Sequence, residues 1–215
     1  MAATTPRRSR GRPVGGGKSA DEAKTALMDA AEELILDRGF QASTMESIAA
    51  RAGYSRAAMY QHFPNRQQLL EALVRRRTAH HQAAILARLP ESTDMATLLV
   101  ESLVIVSTEL IHDPLLRTLS EQTEDGTIAH LVAHASGLPE QIEEIVGAVA
   151  EHSGTLFRPG LAPADVATFL LTTALSLLLG VVPGSDTPAT ARRYLQTFVL
   201  PAIFADPPAP TRVFE

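Results

Sequence analysis

Within seven residues, from Arg56 to His62, the chain gathers a guanidinium, a phenol, a carboxamide and an imidazole in Arg56, Tyr60, Gln61 and His62. These groups suit nucleic acid. A guanidinium fork matches the O6 and N7 of guanine, a carboxamide matches the adenine edge, and all four can hydrogen-bond a phosphate. Nothing comparable points to catalysis: there is no nucleophile elbow, phosphate loop or strong metal cluster, so the chain is not expected to be an enzyme. The absence of cysteine removes disulfides and thiolate metal sites. His130 and His134 stand at i and i+4, the spacing by which two imidazoles share a helix face. No third ligand accompanies them beyond Glu121 and Glu124, which are near only in sequence, so neither a metal nor a cofactor is expected.

The elements that must hold the cluster can be read on either side of it. Met45, Ile48, Ala49 and Ala52 recur at helical spacing, and Gly53 supplies the left-handed stop for that helix. Ser55 can cap the next segment, while Met59 and Phe63 anchor it inward. Two short helices joined by a tight glycine turn form a helix-turn-helix. Residues 21–38 form an amphipathic helix with Leu27, Ala30, Ala31, Leu34 and Ile35 inward and Gly39 as its stop, bracing the pair. After Pro64, Asn65 begins a connector through Leu70, Leu73 and Val74 to about Leu86, with His80 and His81 on an exposed face. Punctuation by Pro, Gly, Asp and Ser divides the rest into helices near 95–112, 113–122, 126–135, 139–157, 163–180 and 188–205. The expectation is an all-α protein. It comprises a basic arm (1–20), a helix-turn-helix head (21–75), a helical body (76–205) and a disordered Pro-rich tail (206–215).

The net charge of −5 is divided unevenly. Residues 1–77 hold thirteen Lys and Arg against eight Asp and Glu, whereas residues 78–215 hold six against sixteen. A basic end and an acidic remainder orient such a molecule toward phosphates. The arm contains Arg10-Gly11-Arg12-Pro13. This resembles the core of an AT-hook, an extended segment that lies in the narrow minor groove of A·T-rich DNA. No secretory h-region follows the arm. The longest greasy stretch, Val166 to Val182, is short for a membrane span and carries Thr168, Thr172, Thr173 and Ser176. A buried helix, no membrane contact and a cytoplasmic location are expected.

The run G-F-x-x-x-T-x-x-x-I-A-x-x-A-G-x-S from Gly39, followed by Y-x-H-F from Tyr60 and N-R-x-x-L-L from Asn65, resembles the tetracycline-repressor (TetR) family of bacterial transcription regulators. The likeness covers roughly residues 22–75. Tyr54 stands where the family usually has Val, Ala57 where it often has Gly, Met59 for Leu and Arg66 for Lys. The resemblance implies that the second motif helix enters the major groove, with Arg56 reading guanine, Ala57 meeting a thymine methyl and Gln61 reading adenine. Ser55 and Ala58 join that surface. Thr44, Tyr60, His62 and Arg66 match phosphate-gripping positions, and the larger Tyr54 is expected to touch the DNA backbone. Thr44 or Ser43 caps the first motif helix, with Glu46 in capping-box spacing.

The resemblance further implies a homodimer on palindromic double-stranded operator DNA, released by a small molecule bound in the body. Expected dimer residues are Leu171, Leu175, Leu178, Leu195, Phe198 and Val199. Aliphatic composition favours a lipophilic effector, with Thr108, His112, Glu121, His130 and Thr172 as candidate polar contacts. Repression is the leading reading; an activator or architectural protein using the arm on A·T-rich DNA is the alternative.

Overall fold

The computed structural model describes residues 19–88, 94–123, 127–135, 137–152 and 156–207. Arg10, Gly11, Arg12 and Pro13, Glu124 and the tail from residue 208 lie outside the described residues. Among those described the fold is all-α, with one isolated bridge between Phe157 and Phe204 and no strand.

Helix α1 (Ala20–Arg38) starts at a complete capping box: Ser19 Oγ accepts from the Glu22 amide, and the Glu22 carboxylate accepts from the Ser19 amide. It buries Ala23, Leu27, Ala30, Ala31, Leu34 and Ile35 and ends at Gly39, whose φ of +87° is a conformation that side-chain-bearing residues rarely adopt. A Cβ at Gly39 would also stand 2.6 Å from Oε1 of Gln122. Gly39→Ala is therefore expected to destabilise the protein by about 1–3 kcal/mol, read as a lower urea midpoint. An unchanged midpoint would contradict a backbone requirement there.

Helices α2 (Met45–Ala52) and α3 (Arg56–His62) are separated by Gly53, left-handed at φ +75°. Thr44, and not Ser43, caps α2: the Thr44 hydroxyl accepts from the Ser47 amide at 3.1 Å, while buried Ser43 donates to the Gly39 carbonyl. Asn65 caps α4 (Arg66–Arg88) through the Gln68 amide. That helix begins within the head and runs on past it.

The body is built from α5 (Met95–Thr108), α6 (Pro114–Gln122), α7 (Thr127–Ala135), α8 (Leu138–His152), α9 (Pro163–Leu178), α10 (Pro188–Tyr194) and α11 (Leu200–Ile203). The single helix expected over 95–112 stops at Thr108 and gives way to a 3-10 turn, Leu110–His112. Ser107 and Thr108 hydroxyls both bond back to the Val104 carbonyl, and Pro114 forces Asp113 out of helical geometry. Over 188–205 a π turn, Leu195–Val199, interrupts the helix, because Pro201 has no N–H to continue the regular ladder. By length and mean hydropathy (1.5) the stretch Met95–His112 could cross a membrane, whereas the apolar helix Pro163–Leu178 is too short to be counted with it. In this fold its Val100, Leu103, Val104 and Ile105 are buried, and it packs on α9 and α10.

Two apolar clusters result. One unites the head with α4, α6 and α7 through Leu27, Leu34, Ile48, Met59, Leu73, Leu119 and Leu131; the other joins α5, α8 and α9 to the C-terminal helices. Full burial of each such side chain contributes about 1.5–3 kcal/mol.

Candidate nucleic-acid interface and cavity

Helix α3 is pinned from beneath by Met59 and Phe63, both essentially buried, so its opposite face is turned to solvent. Ser55, Arg56, Ala57, Tyr60 and Gln61 are exposed there, Ala58 and His62 are half-buried at its edges, and Thr44 is exposed at the start of α2. Ser55 Oγ accepts from the Ala58 amide at 3.1 Å. The Arg56 guanidinium lies 5.5 Å over the Tyr60 ring and 3.2 Å from the Glu46 carboxylate. Glu46 therefore faces Arg56 and does not complete a capping box.

Two residues expected at the phosphates are engaged elsewhere. Arg66 donates to the Phe40 carbonyl and stacks on that ring at 3.9 Å; burial lowers its pKa from the ordinary guanidinium value. It ties the start of α4 to the loop after α1. Tyr54 packs against the head core with its hydroxyl oxygen withdrawn from solvent. An aromatic ring at a position bordering an apolar core gains more from burial than from standing in water.

In the body, α4, α5, α8 and α9 surround an apolar cavity of about 220 Å³. Its polar lining residues are Thr78, His81 and Gln82 on α4 and Ser102 on α5. None of Thr108, His112, Glu121, His130 or Thr172 lines it. The Thr108 and Thr172 hydroxyls bond back to the carbonyls of Val104 and Thr168, Glu121 pairs with Arg117, and His112 and His130 are exposed. The sequence reading also placed His81 on an exposed face, whereas its side chain is only 18% exposed. The signal was present: the stripe Leu70, Leu73, Val74 continues at helical spacing to His81, seven residues past Val74.

The expected dimer residues need a similar correction. Leu171, Leu175 and Leu178 line the cavity, and Leu195 and Val199 are buried in the body's own core. Of the six, Phe198 alone is well exposed, at 51%. Helix α9 is apolar nearly all round, so composition could not say which side faced inward. The structure turns Phe169, Thr172 and Leu179 outward.

Beside the cavity lies a charged node. Asp113, buried, caps α6 through the Leu116 amide and accepts from Arg77 at 2.6 Å, with His81 Nε2 at 2.7 Å. Arg77 also reaches Glu32 on α1 at 3.4 Å, and Arg76 holds Asp29 and Glu32 on the same helix. Burial alone would raise the Asp113 pKa, but hydrogen bonds from His81, Arg77 and the Leu116 amide outweigh it and hold the carboxyl well below the usual range. Asp113→Asn keeps an oxygen for the cap and removes the charge, and should cost about 2–4 kcal/mol at neutral pH. A folded-state pKa below the unfolded one gives stability that is complete above the unfolded value of about 4 and lost as pH falls through the folded value. Urea titrations should therefore show the gap between the two proteins full at neutrality and closing only in acid. A gap that widens in acid would contradict this assignment.

A second pair, Glu101 and Arg192 at 2.7 and 2.8 Å, clamps α5 to α10. Ninety-one residues separate the partners, and no local pattern announces it.

Residues 27–73 match the family model described as bacterial regulatory proteins, tetR family. Among curated relatives, the transcriptional activator FasR of Mycolicibacterium smegmatis is 35% identical over 99 residues, covering 44% of this chain and 45% of that protein. The regulator TtgR of Pseudomonas putida is 34% identical over 111 residues, covering 48% and 50%. The chain thus spans about half the length of the curated relatives it matches. The structure of RolR in complex with resorcinol superposes with a TM-score of 0.64 over 86% of this chain and 89% of that one. Identity there is 16%, a likeness of fold.

Proposed function

We propose, from the match of residues 27–73 to the TetR family model, that the chain is a TetR-type, homodimeric, DNA-binding transcription regulator whose grip on a palindromic operator is loosened by a small lipophilic effector. One observation carries the DNA reading: α3 buries Met59 and Phe63 and leaves Arg56, Ala57, Tyr60 and Gln61 together on its solvent face. In this reading Arg56, Ala57 and Gln61 meet base edges. Thr44, Ser55, Ala58, Tyr60 and His62 adjoin the phosphates, while Tyr54 and Arg66 stabilise the head from within.

The head is residues 21–75, and the body, residues 76–205, binds the effector in its apolar cavity. A ligand weakens DNA binding only through unequal affinity for two conformations, which a cavity walled by the connector α4 can supply. RolR, similar in fold, was solved with a small ligand, resorcinol, which supports the same use here. Exposed Phe169, Leu179, Val181 and Phe198 form the dimer surface.

Selection of bound fragments from randomised DNA by the purified protein tests the proposal. An enriched palindrome with two half-sites is the expected result. Enrichment of A·T-rich tracts without symmetry would overturn it in favour of architectural binding through the arm.

A further inference from the structure

The cavity is polarised along α4. Thr78, His81 and Gln82 line the part nearer the head, Ile85 and Leu86 follow one to two turns further on, and the remaining walls are aliphatic apart from Ser102 and Phe157. An occupant that satisfies such a lining is a hydrocarbon-rich molecule with one hydrogen-bonding group, directed toward the head. Among the described residues His81 is the one that both lines the cavity and belongs to the charged node: its ring borders the cavity while Nε2 lies 2.7 Å from Asp113 Oδ2.

Asp113 in turn is joined to the head by two routes. Through Arg77 it reaches Glu32 on α1. It is also the N-cap of α6, whose far end meets the loop before α2. There Gln41 Nε2 donates to the Gln122 carbonyl at 2.7 Å, and Gly39 lies against the Gln122 side chain. Leu116, on α6 between these ends, lines the cavity as well.

Resting on the effector reading above, we propose that His81 is the positioning residue that couples the cavity to the head. The polar end of a long-chain amphiphile engages His81, withdraws it from Asp113, and so loosens both Arg77–Glu32 and the seat of α6. His81 is not needed to hold the hydrocarbon, which its aliphatic neighbours enclose. Binding and coupling are therefore separable, and that separation is the content of the proposal.

The probe is 1-decanol, with binding read by its displacement of the neutral fluorophore N-phenyl-1-naphthylamine and coupling read as the ratio of operator affinities without and with saturating decanol. The wild-type ratio is expected within the usual coupling range of about 5- to 150-fold. His81→Phe keeps a ring of similar bulk and removes the bond to Asp113; it should still bind decanol, with a ratio reduced to ~2-fold or less. His81→Gln, whose amide nitrogen can donate to Asp113, should restore most of the ratio. A His81→Phe protein that binds decanol and keeps the wild-type ratio overturns the relay while leaving the effector cavity standing. Wild-type protein that binds no decanol, with the fluorophore undisplaced, instead overturns the cavity reading beneath it. A variant that melts early is distinguished by its own urea midpoint, and His81→Gln then carries the test.

Discussion

The double substitution Phe169→Glu with Phe198→Glu is expected to yield a monomer in light scattering and to reduce operator affinity by about 10³-fold or more, toward the level of nonspecific binding. Both rings already stand in water in the single chain, 40% and 51% exposed. Carboxylates there cost the single chain little, so each monomer should remain folded by circular dichroism, losing only the stability that association lends the parent. Across a dimer interface they would bury four unpaired charges, a penalty of several kcal/mol that apolar contact does not offset. Leu171→Glu serves as the contrast: its side chain borders the cavity and packs inside the subunit, so it should unfold the body before it separates dimers. A dimeric double variant with unaltered operator affinity would move the interface elsewhere on the molecule.

That contrast also shows where sequence reasoning reached and where it stopped. The head was legible because each local signal concerns a near neighbour. The hydroxyl of Thr44 or Ser55 caps the helix that follows it, Gly53 turns left-handed, and Met45, Ile48, Ala49 and Ala52 repeat at helical spacing. The all-α class and most helix limits followed from the same kind of local punctuation. The interior of the body did not. Helix α9 has apolar residues on every side, so periodicity cannot distinguish cavity wall from outer face, and Leu171, expected outside, lines the cavity while Phe169 is exposed. Polar candidates chosen for residue type, such as Thr108 and Thr172, were taken up by their own preceding carbonyls. Arg66 illustrates a third limit: a cation expected at the phosphates is held by a carbonyl and a ring of the protein itself, and only the packed loop at Phe40 reveals it. The Asp113 node joins residues from α1, α4 and α6 across more than thirty positions of sequence. The sequence carries the helix boundary at residue 113 and the α4 stripe that leads to His81, but nothing local brings the two together.

Arg56→Ala should reduce discrimination between operator and scrambled DNA by about 1–3 kcal/mol per half-site, and by roughly twice that for a symmetric dimer. The position of Glu46 bears on the size of this effect. Its carboxylate stands 3.2 Å from the Arg56 guanidinium, but the two side chains are 48% and 70% exposed, and such a surface pair is worth about 0–1 kcal/mol. Releasing Arg56 from Glu46 to reach a base therefore costs little beside a bidentate contact with guanine. Glu46→Gln should accordingly strengthen binding to operator and scrambled DNA alike, by removing one negative charge near the phosphates, and leave their ratio nearly unchanged. Titrations at several salt concentrations separate the two roles available to Arg56. A base reader loses specificity with little change in salt slope, whereas a phosphate contact weakens every sequence equally and lowers the slope by about 1 per contact. A uniform loss with the reduced slope would assign Arg56 to the backbone and leave base reading to Gln61 and Ala57, whose substitution should then carry the discrimination that Arg56 lacks.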